Sequence, residues 1–284
     1  MLDDFSLIPG EAFEAMGSVS NNLIDKISNA VGHVFSPRGK QKDKEEAVKF
    51  WIEEIKNNES MPALAKAAAI SEARKIIKQY SNKNNILQIA INNLGDTANP
   101  YRLEEDWIEI FMDKAGKISN EDVQLMFGKL LAEECNNPNS VSKSLLNALT
   151  LMDKRLANSF KTLCKYSIHI NDETHTDGIE VIIPDVTDME AYNITLQFMD
   201  IVDLASLGLL EYNMGQYVMG QTGTVRYGDE RIAVKGKEPI LCGMVNTTSI
   251  GQELAKVIIP EVDYIYFEKI KKFWTEHDVN ISTL

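Results

Sequence analysis

Long apolar runs are missing from this sequence. None that is free of charge approaches the roughly 18 residues of a membrane-spanning helix, which excludes a helical transmembrane protein. Cysteine is scarce. Cys135, Cys164 and Cys242 are scattered, without a C-x-x-C pair, which fits reduced thiols in a cytosol and not a disulfide framework. The N-terminal "MLDDFSLIPG" is acidic, where a secretory leader has a basic start and an apolar core, so a cytoplasmic setting is expected. There is no Ser-centred nucleophile elbow and no H-E-x-x-H. The Gly-rich "GQYVMGQTGTVRYG" lacks the G-x-x-x-x-G-K-[ST] order of a phosphate loop. Positive charge is also missing from one long interval. Between Lys165 and Arg226 there is no Lys or Arg, while ten carboxylates fall there, among them Glu180, Asp200, Asp203 and Glu211. With a formal net charge of −13, the chain is disfavoured for non-specific nucleic-acid binding.

What remains is a globular composition, 44% hydrophobic and 25% charged over 284 residues, enough for two or three domains. The fold class expected is mainly α, with an N-terminal helical region followed by an α+β, winged-helix-like region. Three divisions follow from the changes of pattern. Residues 1–45 hold an amphipathic helix, "NNLIDKISNAVGHVF", and a basic linker with Arg38, Lys40, Lys42 and Lys44. Residues 46–166 form a helical domain, and residues 167–284 the α+β domain. In the first segment Leu23, Ile27, Ala30, Val31, Val34 and Phe35 recur at helical spacing. That stripe docks on the core, or residues 21–44 lie on a membrane surface as interfacial helices with basic flanks do.

The helical domain opens with "KEEAVKFWIEEIK", striped by Val48, Trp51, Ile52 and Ile55. A helix capped by Ser60 with Pro62 in its first turn follows, then a separate short helix over "SNKNNILQIAINNL". The stretch "DWIEIFMDKAGKISNEDVQLMFGKLLAEECNNPNS" predicts a helix pair. Leu103, Trp107, Ile110, Phe111 and Ala115 share one face, and Gly116 suits a left-handed stop. Ser119 is placed to cap the second helix, which buries Val123, Phe127, Leu130 and Leu131. Beyond Tyr166 the pattern turns β-branched in "GIEVIIPDV", then helical in "DMEAYNITLQFMDIVDLASLGLLEYN" up to Gly208. Gly-rich hairpins, "TSIGQELAKVI" and a terminal helix complete the chain. The order helix, hairpins, helix over 188–259 is similar to the later part of a winged-helix domain.

Candidate chemistry is sparse. A DNA reader needs cations facing phosphates, and only Arg226, Arg231, Lys235 and Lys237 on the hairpins offer them, so DNA is an unlikely partner. The segment "HINDETHTDG" supplies His169 and His175 with neighbouring carboxylates, ligand types for a divalent metal at a spacing that matches no motif. Glu133 and Glu134 are adjacent carboxylates with no second group to shift them. Cys135 has no local basic partner. No cofactor is expected.

The helix-pair stretch resembles an uncharacterised bacterial family, a domain of unknown function whose hallmark runs D-W, I-S-x-E/D-x-x-Q, W-G-x-x-L-A-x-E and P-x-S. The match is carried by Asp106, Trp107, Ile118, Ser119, Glu121, Gln124, Gly128, Leu131, Ala132, Glu134, Pro138 and Ser140, with Phe127 standing where the family commonly has Trp. The helical pattern is also similar to the abortive-infection alpha proteins of bacterial phage defence. These resemblances imply a bacterial cytosolic protein and carry no catalytic residues over. The function expected is therefore a non-enzymatic interaction or regulatory protein that self-associates or binds a protein partner. The alternatives are a DNA-binding regulator, a metal-dependent enzyme and a peripheral membrane protein.

Overall fold

The computed structural model describes residues 18–31, 40–173 and 178–284. Among the described residues the chain is mainly α-helical, and the antiparallel β-structure lies in the C-terminal part. It divides into two compact units, 1–143 and 144–284.

The first unit is helical among its described residues. Helix α1 (Ser18–Val31) buries Leu23, Ile24 and Ile27, packing against a 3₁₀ turn (Pro100–Arg102) and α4 (Glu105–Lys117). Tyr101 donates to Asn22 at 3.1 Å across the same contact. Of the apolar stripe that an interfacial helix would lay on a membrane, Leu23 and Ile27 are here enclosed by protein, while Val34 and Phe35 lie outside the described residues. Helix α2 (Lys40–Asn57) begins inside the expected basic linker, while residues 32–39, with His33 and Arg38, lie outside the described residues. No described helix is long and apolar enough to cross a membrane.

Helix α3 (Ala63–Ile91) runs unbroken through "SNKNN", where the sequence predicts a break. Its N-cap is Pro62, not Ser60. Asparagine weakens helices by competing for its own backbone, but the buried Asn82 is turned outward to other elements instead. It donates to the carbonyl of Gly116 at 2.9 Å and to Ser119 Oγ at 3.2 Å. Helix α4 continues through Gly116 to Lys117, so that glycine is buried mid-turn and not at a left-handed stop. Helix α5 (Glu121–Asn136) is capped by Asn120, which accepts from the Val123 N–H at 3.1 Å, and not by Ser119.

Helices α3 and α5 cross at Gly128. A Cβ there would sit 2.4 Å from the Ile89 side chain and 2.9 Å from the Ile86 carbonyl oxygen. On the other side of α5, Phe127 is fully enclosed and lies 5.3 Å from Phe111, which stacks on Trp107 at 5.0 Å.

The second unit starts with α6 (Lys143–Thr150), whose first residue precedes the division, and α7 (Lys154–Cys164). Seven strands follow: β1 (Ser167–Asp172), β2 (Gly178–Val181), β3 (Leu210–Met219), β4 (Thr222–Tyr227), β5 (Glu230–Lys235), β6 (Ile240–Thr247) and β7 (Asn280–Thr283). Five of them form an antiparallel sheet in the order β2-β1-β4-β5-β7, and β3 pairs with β6. The long helix expected to end at Gly208 is only partly formed. A 3₁₀ turn (Met189–Tyr192) is followed by extended chain and then α8 (Phe198–Ser206), after which Gly208 takes the expected left-handed stop at φ 75°. Helix α9 (Ser249–Ala255) and helix α10 (Tyr264–Glu276) close the unit.

One face of the five-stranded sheet carries Ile168, Ile170, Val225, Tyr227, Ile232 and Val234, all buried. Tyr227 stacks on Phe267 of α10 at 4.8 Å. The wholly buried Tyr266 hydroxyl lies 2.9 and 2.8 Å from the carbonyl oxygens of Tyr166 and Ile182, which share its proton.

Gly128→Ala forces a methyl group into the α3–α5 crossing. It is expected to lower stability by about 1–3 kcal/mol, as overpacking does; urea denaturation of the variant against the parent chain measures it.

Candidate functional site

The helix-pair stretch folds as a set of clamps. Asp106, in the first turn of α4, pairs with Lys143, whose ammonium lowers the Asp106 carboxyl below its ordinary value. Trp107 donates its indole N–H to the Val141 carbonyl at 2.9 Å. Glu134 is buried and accepts from the backbone N–H groups of Asn139 at 2.6 Å and Val141 at 2.8 Å. The segment leaving α5 is thus held from two sides, and Asn139 takes the left-handed turn there at φ 67°. At the other end of α5, Gln124 donates to the Ile118 carbonyl at 2.8 Å and to Asn82 Oδ1 at 3.2 Å. Phe127 and Gly128 fill the helix crossings described above. Gln124 and Glu134 therefore hold the backbone at the two ends of α5, and Ser119 accepts from Asn82.

The adjacent carboxylates separate in role. Glu133 accepts from Asn137 Nδ2 at 2.9 Å near the surface, while Glu134 is the buried one. Burial raises the Glu134 pKa above the ordinary 4.5, against the opposing pull of the backbone donors. The cysteines are equally inert. All three are free and buried, and burial pushes each thiol up to about 12, the reverse of what a nucleophile needs. No group of three or more metal-ligating side chains occurs among the described residues. His169 lies in β1, and His175 falls outside the described residues.

The acidic interval is largely internal wiring. Arg155 of α7 bonds Asp200 at 3.0 Å and also pairs with Asp203. Glu180 is buried and accepts from Gln252 at 2.9 Å. Asp172 accepts from the Gly220 N–H, and Asp185 from Thr187, each at 2.7 Å. These carboxylates do not form one solvated acidic face.

The strand registers bring together residues that the sequence keeps apart. His169 lies opposite Arg226, and Arg226 opposite Arg231, giving one row across β1, β4 and β5. The next row on that face holds Asn171, Thr224 and Ala233. A cleft of about 380 Å³ opens over these rows, lined by His169, Asn171, Thr224, Arg226, Arg231 and Leu284 with Ile170 and Val225 at its floor. No carboxylate side chain lines it. Lys235 and Lys237, the other two cations expected on the hairpins, are exposed and do not line the cleft. Asn171, Thr224 and Leu284 went unnoticed in the sequence; alternation along β1 and β4 was the available signal for the first two.

A helical unit held by side-chain-to-backbone clamps, followed by an α+β unit with a basic cleft, is the class of protein defined here. The chain belongs to the family described as protein of unknown function DUF2806, whose model matches residues 69–271. No curated protein and no solved structure matches it. The matched span takes in the clamps, His169, Arg226 and Arg231, and leaves α1, α2 and β7 outside it.

A carboxyl whose folded-state pKa is raised contributes stability that is fully present below its unfolded pKa and lost as pH rises through the folded one. Glu134→Gln is expected to remove that pH dependence. It also turns an amide N–H₂ toward one backbone donor, at a cost of about 1–3 kcal/mol near neutrality. Urea denaturation of both chains from about pH 4 to about pH 8 separates the two effects. The three thiols are expected to stay unreactive toward an aromatic disulfide reagent in the native chain and to react together on unfolding.

Proposed function

We propose that the chain is a non-enzymatic interaction or regulatory protein that associates with a second copy of itself through α2. The observation that carries this reading is an exposed aromatic pair. Phe50 is 66% and Trp51 43% exposed, while Ile55, one turn further along the same helix, is buried. Aromatic side chains are the usual energetic anchors of interfaces. Exposed residues of both signs surround the pair, namely Glu46, Lys49, Glu53, Glu54 and Lys56. A mixed-charge surface complements itself across a two-fold axis. The chain as a whole, at a net −13, repels its own copies elsewhere.

Support for a non-enzymatic role comes from the same inventory. The cysteines are protonated and buried, and the polar residues of the helix pair hold turns. A bacterial cytosolic setting and a part in phage defence rest on the sequence resemblances alone. A winged-helix DNA reader is the alternative. It is disfavoured because α8 has nine residues and presents Asp200 and Asp203, both engaged by Arg155.

Sedimentation of the intact chain over a range of concentrations tests the proposal. The parent chain is expected to gain mass with concentration, and the double variant Phe50→Ser, Trp51→Ala to remain at 31.9 kDa with unchanged far-UV circular dichroism. A parent chain that stays monomeric at every concentration overturns self-association.

A further inference from the structure

We infer that the cleft over β1, β4 and β5 is a binding site for a phosphate group, carried by a small phosphate monoester or as the free ion. This goes beyond self-association and concerns a different part of the chain. The fold accepts an electrostatic cost at this cleft. Arg226 and Arg231 stand directly opposite each other in the β4–β5 register, and like charges at directly opposed sites destabilise a sheet. No ion pair relieves either guanidinium among the described residues. The nearby Glu230 is engaged by Lys271 at 2.6 Å. Two unneutralised guanidinium groups at one cleft, in a chain of net −13, are a local reversal of sign.

Each guanidinium offers a planar fork that fits two oxygens of one anion. Thr224 adds a hydroxyl, Asn171 an amide and His169 a ring nitrogen on the same lining. That set can serve three terminal oxygens, which a phosphate monoester presents and a carboxylate does not. At about 380 Å³ the cleft lies at the small end of the range for bound small molecules.

The same observations argue against a nucleic-acid strand. Single-stranded nucleic acid is held by aromatic side chains stacking on bases, and no Phe, Tyr or Trp lines this cleft. A long polyanion would also meet the acidic remainder of the surface. A small anion is shielded from charges more than about 8 Å away at physiological ionic strength.

Calorimetric titration of the intact chain with inorganic phosphate, adenosine 5′-monophosphate, acetate and a short single-stranded oligonucleotide tests the inference. One site per chain is expected for phosphate and the monophosphate, weakening as salt is raised. Tighter binding of the monophosphate assigns the site to a monoester, and equal binding assigns it to the phosphate group alone. Arg231→Gln and Arg226→Gln are each expected to weaken binding by about tenfold or more, and Lys237→Gln to leave it unchanged. The Arg231 side chain is exposed, so its variant folds even if the Arg226 variant does not, and an unchanged thermal midpoint verifies this. Acetate binding as tightly as phosphate, Arg231→Gln binding as tightly as the parent, or the oligonucleotide binding more tightly than the monophosphate each overturns the inference.

Discussion

A carboxylate removed from water must be met by donors, and Glu134 is met by the backbone itself. Its two oxygens take the N–H groups of Asn139 and Val141, which leaves the chain one way to leave α5. Trp107 then fastens the carbonyl of Val141, the same residue from its other side. The same helices also meet through their aromatic side chains, with Phe111 of α4 lying 5.3 Å from Phe127 of α5. Gln124 and Asn82 do the converse at the opposite end of α5, donating side-chain amide N–H groups to backbone carbonyls. Buried polar groups of this kind add little net energy when satisfied and cost much when orphaned. They specify one arrangement and penalise the others.

The second unit solves a similar problem with phenols and ion pairs. The Tyr227 hydroxyl donates to the Lys165 carbonyl at 2.6 Å and accepts from the Asp263 N–H at 2.9 Å, tying the sheet to the start of α10. Carboxylates in the Arg-free and Lys-free interval are matched from outside it, by Arg155 of α7 and Gln252 of α9. Arg155 thus meets two of the interval's carboxylates across the fold, while the buried Glu180 is met by a neutral amide. The outer sheet face carries Arg226 and Arg231, and no carboxylate side chain lines the cleft over them.

Much of the helical unit was legible because its signals are local. The apolar stripes of α1, α4 and α5 and the enclosure of Trp107 and Phe127 follow from spacing. The caps slipped by one or two residues where two cap-forming types adjoin, Ser119 beside Asn120. The break expected at "SNKNN" failed because Asn82 serves distant groups, which no local pattern encodes. In the second unit the row of His169, Arg226 and Arg231 was illegible for a stronger reason. It exists only in the register of three strands, and a shift of one residue would turn those side chains to the other face. The partners of Glu180, Asp200 and Asp203 were illegible for the same reason, since counting charges along a chain does not show what meets them.

The pairing of β1 with β4 also governs the order in which the chain can fold. Residues 173–221 separate these two strands, and they include β2, α8 and β3. The sheet's middle cannot form until that whole interval has been gathered into a closed loop, whose entropy is lost before any ladder bond repays it. The helical unit meets the same constraint where α1 packs on α4 across residues 32–104. In each unit a contact between elements far apart in the chain carries the loop-closure cost, and the row that holds Arg226 against His169 exists only once that cost has been met.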